Sequence, residues 1–449
     1  MVPNIADRRA LAGARAVAVE APLMQDGELA ALLGVIVVGF MVAHTALERL
    51  QTRFFFSTGV EFLLLGALLG PNAVALLEGL GVGGVSPVLS VERLQTFSPL
   101  LALAVGWVGL LVGAELNLGR LFGRNDEAIG VSVMTSAMVF LGVLGGVLGA
   151  LALWPPGAEL SLREQMLLGC TLGAIAATTT PVALSALQRR YQADGPTTDV
   201  LKRALGLDEL LAILGFGAIF CVFHDDSAQA VRALTATEWF VLSIGLGGVL
   251  GGLFHLLIRD EERDGARWFL FIGIVMFSSG AAWWLSLSPL LVNLVLGLTM
   301  VNVSDRASDA IIDVLHRTAQ PMHILLLLFA GALWSEPSWA GVGLGVVFTL
   351  ARAGLVMAAG GVAGALSGAG VRRDLGRAML GQGPLAVAMA LNFALAFPEA
   401  PLGAELYTAA LVAVLLNELW SSRSLRGLLI DAGDLRSIAP TSVAQAGES

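Results

Sequence analysis

The chain has 449 residues, 56% of them hydrophobic and only 14% charged, with 54 glycines and a mean hydropathy of +0.80. Soluble domains carry charge on about a quarter of their residues, so a soluble globular class is excluded and an integral membrane protein remains. The net charge of −9 argues against a nucleic-acid partner, and two cysteines inside apolar runs, Cys170 and Cys221, fit neither a disulfide scaffold nor a zinc site.

Residues 1–28 read as an N-terminal tail. Arg8, Arg9 and Arg15 lie there, but no uninterrupted apolar core and cleavage site follow them, so the stretch is not read as a signal peptide. About 20 apolar residues span a bilayer. Apolar segments follow near 29–47, 56–71, 97–118, 129–153, 165–187, 204–223, 238–258, 268–285, 288–302, 320–335, 339–366, 375–397 and 403–420. The expectation is an all-α integral membrane protein of about 13 transmembrane helices, one membrane domain over 29–425 and a short C-terminal tail at 426–449. Within that end, Leu425–Ile438 reads either as a short amphipathic surface helix or as a disordered tail. With the N-terminus outside, the inner loops and the C-terminal tail collect 19 of the 26 basic residues, from Arg49 and Arg53 through Arg372, Arg373 and Arg377 to Arg436. The outer loops hold only Arg93, Arg163 and Arg232, beside the three tail arginines. That alternation follows the positive-inside rule and sets the C-terminus in the cytoplasm.

Charges inside the segments are few, and membrane-interior ionisable groups are costly and usually functional. Setting aside Glu238, Arg377 and Glu405, each within the first three residues of its segment, they are in chain order Glu61, Glu115, Asp208, Glu209, Arg352 and Glu418. Glu61 and Glu418 sit nearer the expected segment ends, where snorkelling or capping accounts for them. The fifth segment is interrupted at Gly-Ala-Ile-Ala-Ala-Thr-Thr-Thr-Pro, residues 173–181, and the twelfth at Gly-Gln-Gly-Pro, residues 381–384. Proline in a helix interior frees backbone groups, and in lipid those groups are tolerated only against protein or a cavity. Segments 1–6 and 8–13 form two halves of six, of opposite orientation, with the breaks on the fifth helix of each. Paired interruptions in matching places point to a transporter's binding site. Thr178, Thr179 and Thr180 either supply hard oxygen ligands or satisfy the broken backbone.

Asp208 and Glu209 stand side by side in the sixth segment, about 100° apart on a helix, so at least one faces protein or water. A buried carboxylate beside another can hold a proton or a cation. The competing reading pairs Asp208 with Lys202 and Arg203 near the helix end. Arg352 cannot deprotonate and needs an acidic partner; Glu115 is the leading candidate, in a structural ion pair. His323 opens the tenth segment without metal-ligand spacing to another histidine, and no hydrolase, metalloprotease or P-loop pattern occurs, so an enzyme is not expected.

These motifs resemble the monovalent cation/proton antiporter superfamily. Arg53–Pro71 is similar to its second-helix signature and Leu110–Leu121 to its third, whose Glu matches Glu115. The Thr-Thr-Thr-Pro break ending in Pro181 resembles the unwound fifth helix, and Asp208-Glu209 the adjacent ion-binding pair. Ala-Arg-Ala around Arg352 resembles the eleventh-helix arginine, and Gly381–Ala386, with Gly383 and Pro384, the twelfth-helix crossover. The matches run in order across residues 30–425. The resemblance implies a homodimer in the inner (plasma) membrane, each subunit with a dimerisation part and a mobile ion-binding core, moving like an elevator. It implies no cofactor beyond the transported Na⁺ or K⁺ and H⁺; the tail from Ser421 to Ser449 is too short for a regulatory nucleotide-binding domain, and none is expected. The sequence departs from the pattern in having Asp-Glu where the pair ends in Asp. Aligning the apolar run after the pair puts Glu209 in the essential place; the other register puts Asp208 there. Thr180 replaces an Asp, and the only lysine is Lys202. The expected function is proton-coupled antiport of Na⁺ or K⁺. An organic-anion transporter using Arg352, or an ion sensor or channel-like protein, are the rival readings.

Overall fold

The computed structural model describes residues 59–72, 94, 96–116, 118–121, 127–154, 157, 159–224, 234–259, 263–303, 305–334, 338–367 and 372–435. The expectations for segment 29–47, for the tail at 1–28 and for residues 436–449 lie outside them. Every regular element among the described residues is helical. In chain order these are α1 (Val60–Leu69), α2 (Ser98–Glu115), α3 (Glu127–Leu153), α4 (Leu162–Ala177), α5 (Val182–Tyr191), α6 (Pro196–Val222) and α7 (Ala236–Ile258). They continue with α8 (Asp264–Trp284), α9 (Pro289–Val303), α10 (Asp305–Ala332), α11 (Trp339–Leu366), α12 (Pro384–Ala396) and α13 (Gly403–Ala432), and two four-residue turns complete them, a helical one at Leu118–Leu121 and a 3-10 one at Leu375–Ala378. Among the described residues seven helical stretches are long and apolar enough to cross a bilayer, one of them the interrupted run Leu162–Arg189. The chain is a multi-pass, all-α membrane protein.

The starts follow local chemistry. Ser161 before α4 and Thr235 before α7 form capping boxes with Glu164 and Glu238. Pro196 and Pro384 open α6 and α12, where a missing N–H costs nothing. Gly433 ends α13 in the left-handed region, φ 78°, closing the last turn back onto Leu429 and Ile430.

Two helices exceed their expected lengths. α10 begins at Asp305, well before its apolar run, and Pro321 lies inside it. α13 runs on to Ala432, twelve residues past the expected end at 420. Leu425, Leu428 and Leu429 are buried, so the first part of the stretch expected as a surface helix or loose tail, residues 425–432, is the packed end of α13; residues 436–438 lie outside the described residues. Glu418 therefore lies in mid-helix and is 3% exposed, which excludes the snorkelling expected for it. Glu61 is also buried.

The packing repeats with the symmetry of the two halves. α2, the third segment, packs on α9, the ninth; α1, the second, packs on α10, the tenth. Exchanging the halves turns one pair into the other. Both contacts use glycine for close backbone approach: Gly109, Gly113 and Gly297 in the first, Gly66 and Gly331 in the second, each against a carbonyl of the partner helix. Likewise α6 packs on α3 as α13 packs on α11.

The end of α13 holds the start of α6. Thr198 donates its N–H (2.7 Å) and its hydroxyl (2.9 Å) to Asp434 Oδ2, and the Asp194 N–H donates to the Asp434 carbonyl (3.1 Å). Asp434 is thus an N-cap supplied from a different helix. Beside it Arg377 pairs with Asp431 (2.7 Å) and Asp374, and Arg372 with Asp374 (2.9 Å). The Arg372 guanidinium holds the Asp374 carboxyl below its ordinary range, so this contribution is present at neutral pH and lost on acidification below that range. Asp434→Ala is expected to cost about 1–2 kcal/mol, read as a lower melting temperature of the detergent-solubilised protein; unchanged melting would refute the cap.

Candidate functional site at the two helix breaks

α4 ends at Ala177, and Thr178–Thr180 run extended to Pro181, which caps α5. Met379–Gly383 form the matching interruption before α12. The two breaks cross at Thr180. A Cβ placed on Gly383 would come 2.6 Å from Thr180 Oγ1, and one on Gly381 3.3 Å from Thr180 Cγ2. At Gly383 a side chain would collide with Thr180, so glycine there lets the second break pack directly on the Thr180 side chain.

Breaking two helices inside an apolar bundle leaves carbonyls to be satisfied. Arg352, 0% exposed on α11, does most of this. Its Nε donates to Ala176 O (2.8 Å), Nη2 to Thr178 O (2.6 Å) and Met379 O (3.3 Å), and Nη1 to Leu380 O (2.7 Å). One planar fork ties both breaks together. Ile175 O accepts from the Thr178 hydroxyl (2.7 Å) and from Gln382 Nε2 (2.9 Å).

The expected Arg352–Glu115 ion pair is therefore corrected. The guanidinium is engaged by carbonyls at interrupted helix ends, whose partial negative charge takes the place of a carboxylate. Glu115 ends α2 with an exposed side chain and lies within coulombic reach of Glu209 instead.

Asp208 lies on α6 and is 1% exposed. Its Oδ1 accepts from the Ser132 (2.5 Å) and Ser136 (3.0 Å) hydroxyls of α3, and its Oδ2 from the Thr179 hydroxyl (2.9 Å). No ion pair to Lys202 or Arg203 forms; the cation within coulombic reach of Asp208 is Arg352. Glu209, turned away from Asp208, is 8% exposed and makes no hydrogen bond among the described residues. The structure sets Asp208, rather than Glu209, against the break.

The three threonines divide their work. Thr179 reaches the carboxylate. The Thr178 hydroxyl serves its own helix end, and Thr180 Oγ1 accepts from the Val182 N–H (3.4 Å) while packing on Gly383. Four contributors were missed in the sequence: Ser132, Ser136, Gln382 and Asn417. The available signal was the i, i+4 spacing of the two serines in an apolar helix, which puts both hydroxyls on one face. The donor set at Asp208 is one carboxylate and three hydroxyls, all hard oxygens. Among the described residues no three His, Cys, Asp or Glu side chains gather as a metal site.

Comparison with protein-family models and with curated proteins gives no match. Solved structures do match. The sodium proton antiporter MjNhaP1 from Methanocaldococcus jannaschii at pH 8 superposes with a TM-score of 0.62 at 15% identity, over 90% of this chain and 97% of that one. An electron-microscopy map of the same antiporter gives 0.58 at 13% identity, over 91% and 99%. The chain has the fold of a monovalent cation/proton antiporter.

Proposed function

We propose that the chain exchanges protons for Na⁺ or K⁺ across a plasma membrane, with Asp208 as the carboxylate that binds each in turn. One observation carries the reading: a buried carboxylate, ringed by the hydroxyls of Ser132, Ser136 and Thr179, at the crossing of two broken helices. A hydroxyl can donate or accept. With Asp208 ionised and alone, the three hydroxyls donate to it. With a cation bound, the same oxygens turn their lone pairs to the ion and the carboxylate balances its charge. With a proton bound, the carboxyl needs no cation. The two loads exclude each other because each neutralises the same charge, and that is the physical basis of exchange.

Glu209, which the favoured alignment put in the essential place, serves in this reading as a second carboxylate on the Glu115 side. Thr180 with Pro181, and Gly383 with Pro384, hold the crossing open. The distribution of basic residues supports an outside N-terminus and a cytoplasmic C-terminus, and the family resemblance a homodimer. An organic anion would need a cation that can present a bidentate pair of donors, and four of the five N–H groups of Arg352 are committed to carbonyls.

The test is dequenching of a pH dye in proteoliposomes given Na⁺, Li⁺ and K⁺ in turn. A response to at least one ion is expected. A dye that stays silent with all three, in vesicles shown to contain folded protein, would sink the reading.

A further inference from the structure

Gln382 sits in the second break, 0% exposed, and faces two groups. One is the Ile175 carbonyl at the end of α4, which can only accept. The Gln382 amide must therefore turn its NH2 that way (2.9 Å), and its oxygen then points to α13. There it accepts from Asn417 Nδ2 at 2.8 Å. Asn417 is itself 0% exposed, and its Oδ1 has no hydrogen-bond partner among the described residues. The direction of the whole chain is thus forced from one end. A backbone carbonyl that cannot donate orients one amide, and that amide demands a donor from the next. The orphaned Oδ1 follows from the Asn417 donor being committed to Gln382; a buried unpaired acceptor is otherwise unfavourable.

We propose that Asn417 is a positioning residue of the crossing: its NH2 group holds the Gln382 amide in the one orientation that lets it donate to the Ile175 carbonyl at the broken end of α4. The link reaches the site through adjacent atoms. Ile175 lies four residues before Thr179, which donates to Asp208, and Gln382 is flanked by Gly381 and Gly383, the glycines packed on Thr180. The consequence for transport rests on the reading of Asp208 as the exchange site; the hydrogen-bond relay itself does not.

The relay makes a chemical prediction that space-filling does not. A protonated carboxylic acid can donate to the Gln382 oxygen as the native amide does, an ionised one can only accept, and leucine can do neither. Asn417→Asp, Asn417→Leu and the same changes in a Gln382→Met background would be melted in detergent at acidic and at alkaline pH. At acidic pH Asn417→Asp is expected to melt near the wild type and several degrees above Asn417→Leu, to lose that advantage at alkaline pH, and to show none without Gln382. Gln382→Glu tests the other end: protonated, it donates to the Ile175 carbonyl and should match the wild type at acidic pH only. If Asn417→Leu melts with Asn417→Asp at acidic pH, or the acid's advantage persists in the Gln382→Met background, the relay is wrong. Melting needs no transport, so the acid rescue in a protein that exchanges no cation would uphold the relay and remove the proposed function.

Discussion

Asp208→Asn is expected to fold, insert and fail to exchange. The amide keeps the shape of the carboxyl and can still accept from the serine hydroxyls through its oxygen, while Thr179 can rotate its hydroxyl to accept from the new NH2. The packing around α6 is therefore preserved. The charge is lost, and charge is what both loads need. Two unit charges about 4 Å apart at an effective dielectric near 20 attract by roughly 4 kcal/mol, which corresponds to several-hundred-fold in affinity at about 1.4 kcal/mol per factor of ten. The amide also binds no proton in the working range, so coupling goes with binding. The measurement is ion-driven dye dequenching in proteoliposomes at matched protein content. Glu209→Gln should leave exchange measurable with altered cation affinity, because no hydroxyl ring surrounds that carboxylate. If Asp208→Asn exchanges at the wild-type rate while Glu209→Gln is dead, the roles are reversed and the alignment that put Glu209 first is right.

That reversal shows where sequence reading stops. Both helix breaks were legible because Pro and Gly in an apolar run have few other uses in lipid, and Asp208 and Glu209 because charge there is conspicuous. Which of the two meets the break was not, since a rotation of about 100° separates them and only the azimuth of α6 decides it. The partner of Arg352 was missed for a different reason. A search for acidic letters near a buried arginine finds Glu115, but the carbonyls of Ala176, Thr178, Met379 and Leu380 carry no letter: every residue has one. They become acceptors only where a helix has been interrupted, so the breaks themselves were the clue to the arginine. Ser132, Ser136 and Asn417 are ordinary small polar residues in apolar helices, and nothing local separates a hydroxyl bonded to its own helix, as in Thr135, from one that reaches a carboxylate. The length of α13 escaped because its last turns are amphipathic, and hydropathy averages them with their polar face.

Arg352 is accordingly where the largest loss of stability is expected. Arg352→Leu fills the space but leaves four buried carbonyl groups, two at each break, without their donors. Each orphaned group costs on the order of 1–3 kcal/mol, together comparable with the whole stability of a folded domain, about 5–15 kcal/mol. Arg352→Leu should not accumulate as folded protein. Arg352→Lys separates charge from geometry. Its ammonium keeps the positive charge that Asp208 senses, yet it is a point donor on a flexible stem and lacks the planar fork that reaches Ala176 and Thr178 on one side and Met379 and Leu380 on the other. It should fold, melt well below the wild type and exchange slowly, because Thr179 and Gly383 would no longer be held in register across the crossing. Fluorescence-detected chromatography after stepwise heating, with the exchange assay on the surviving fraction, reads both effects. Wild-type melting in Arg352→Lys would mean that the buried charge alone suffices, and that the two broken helices are joined by something other than this side chain.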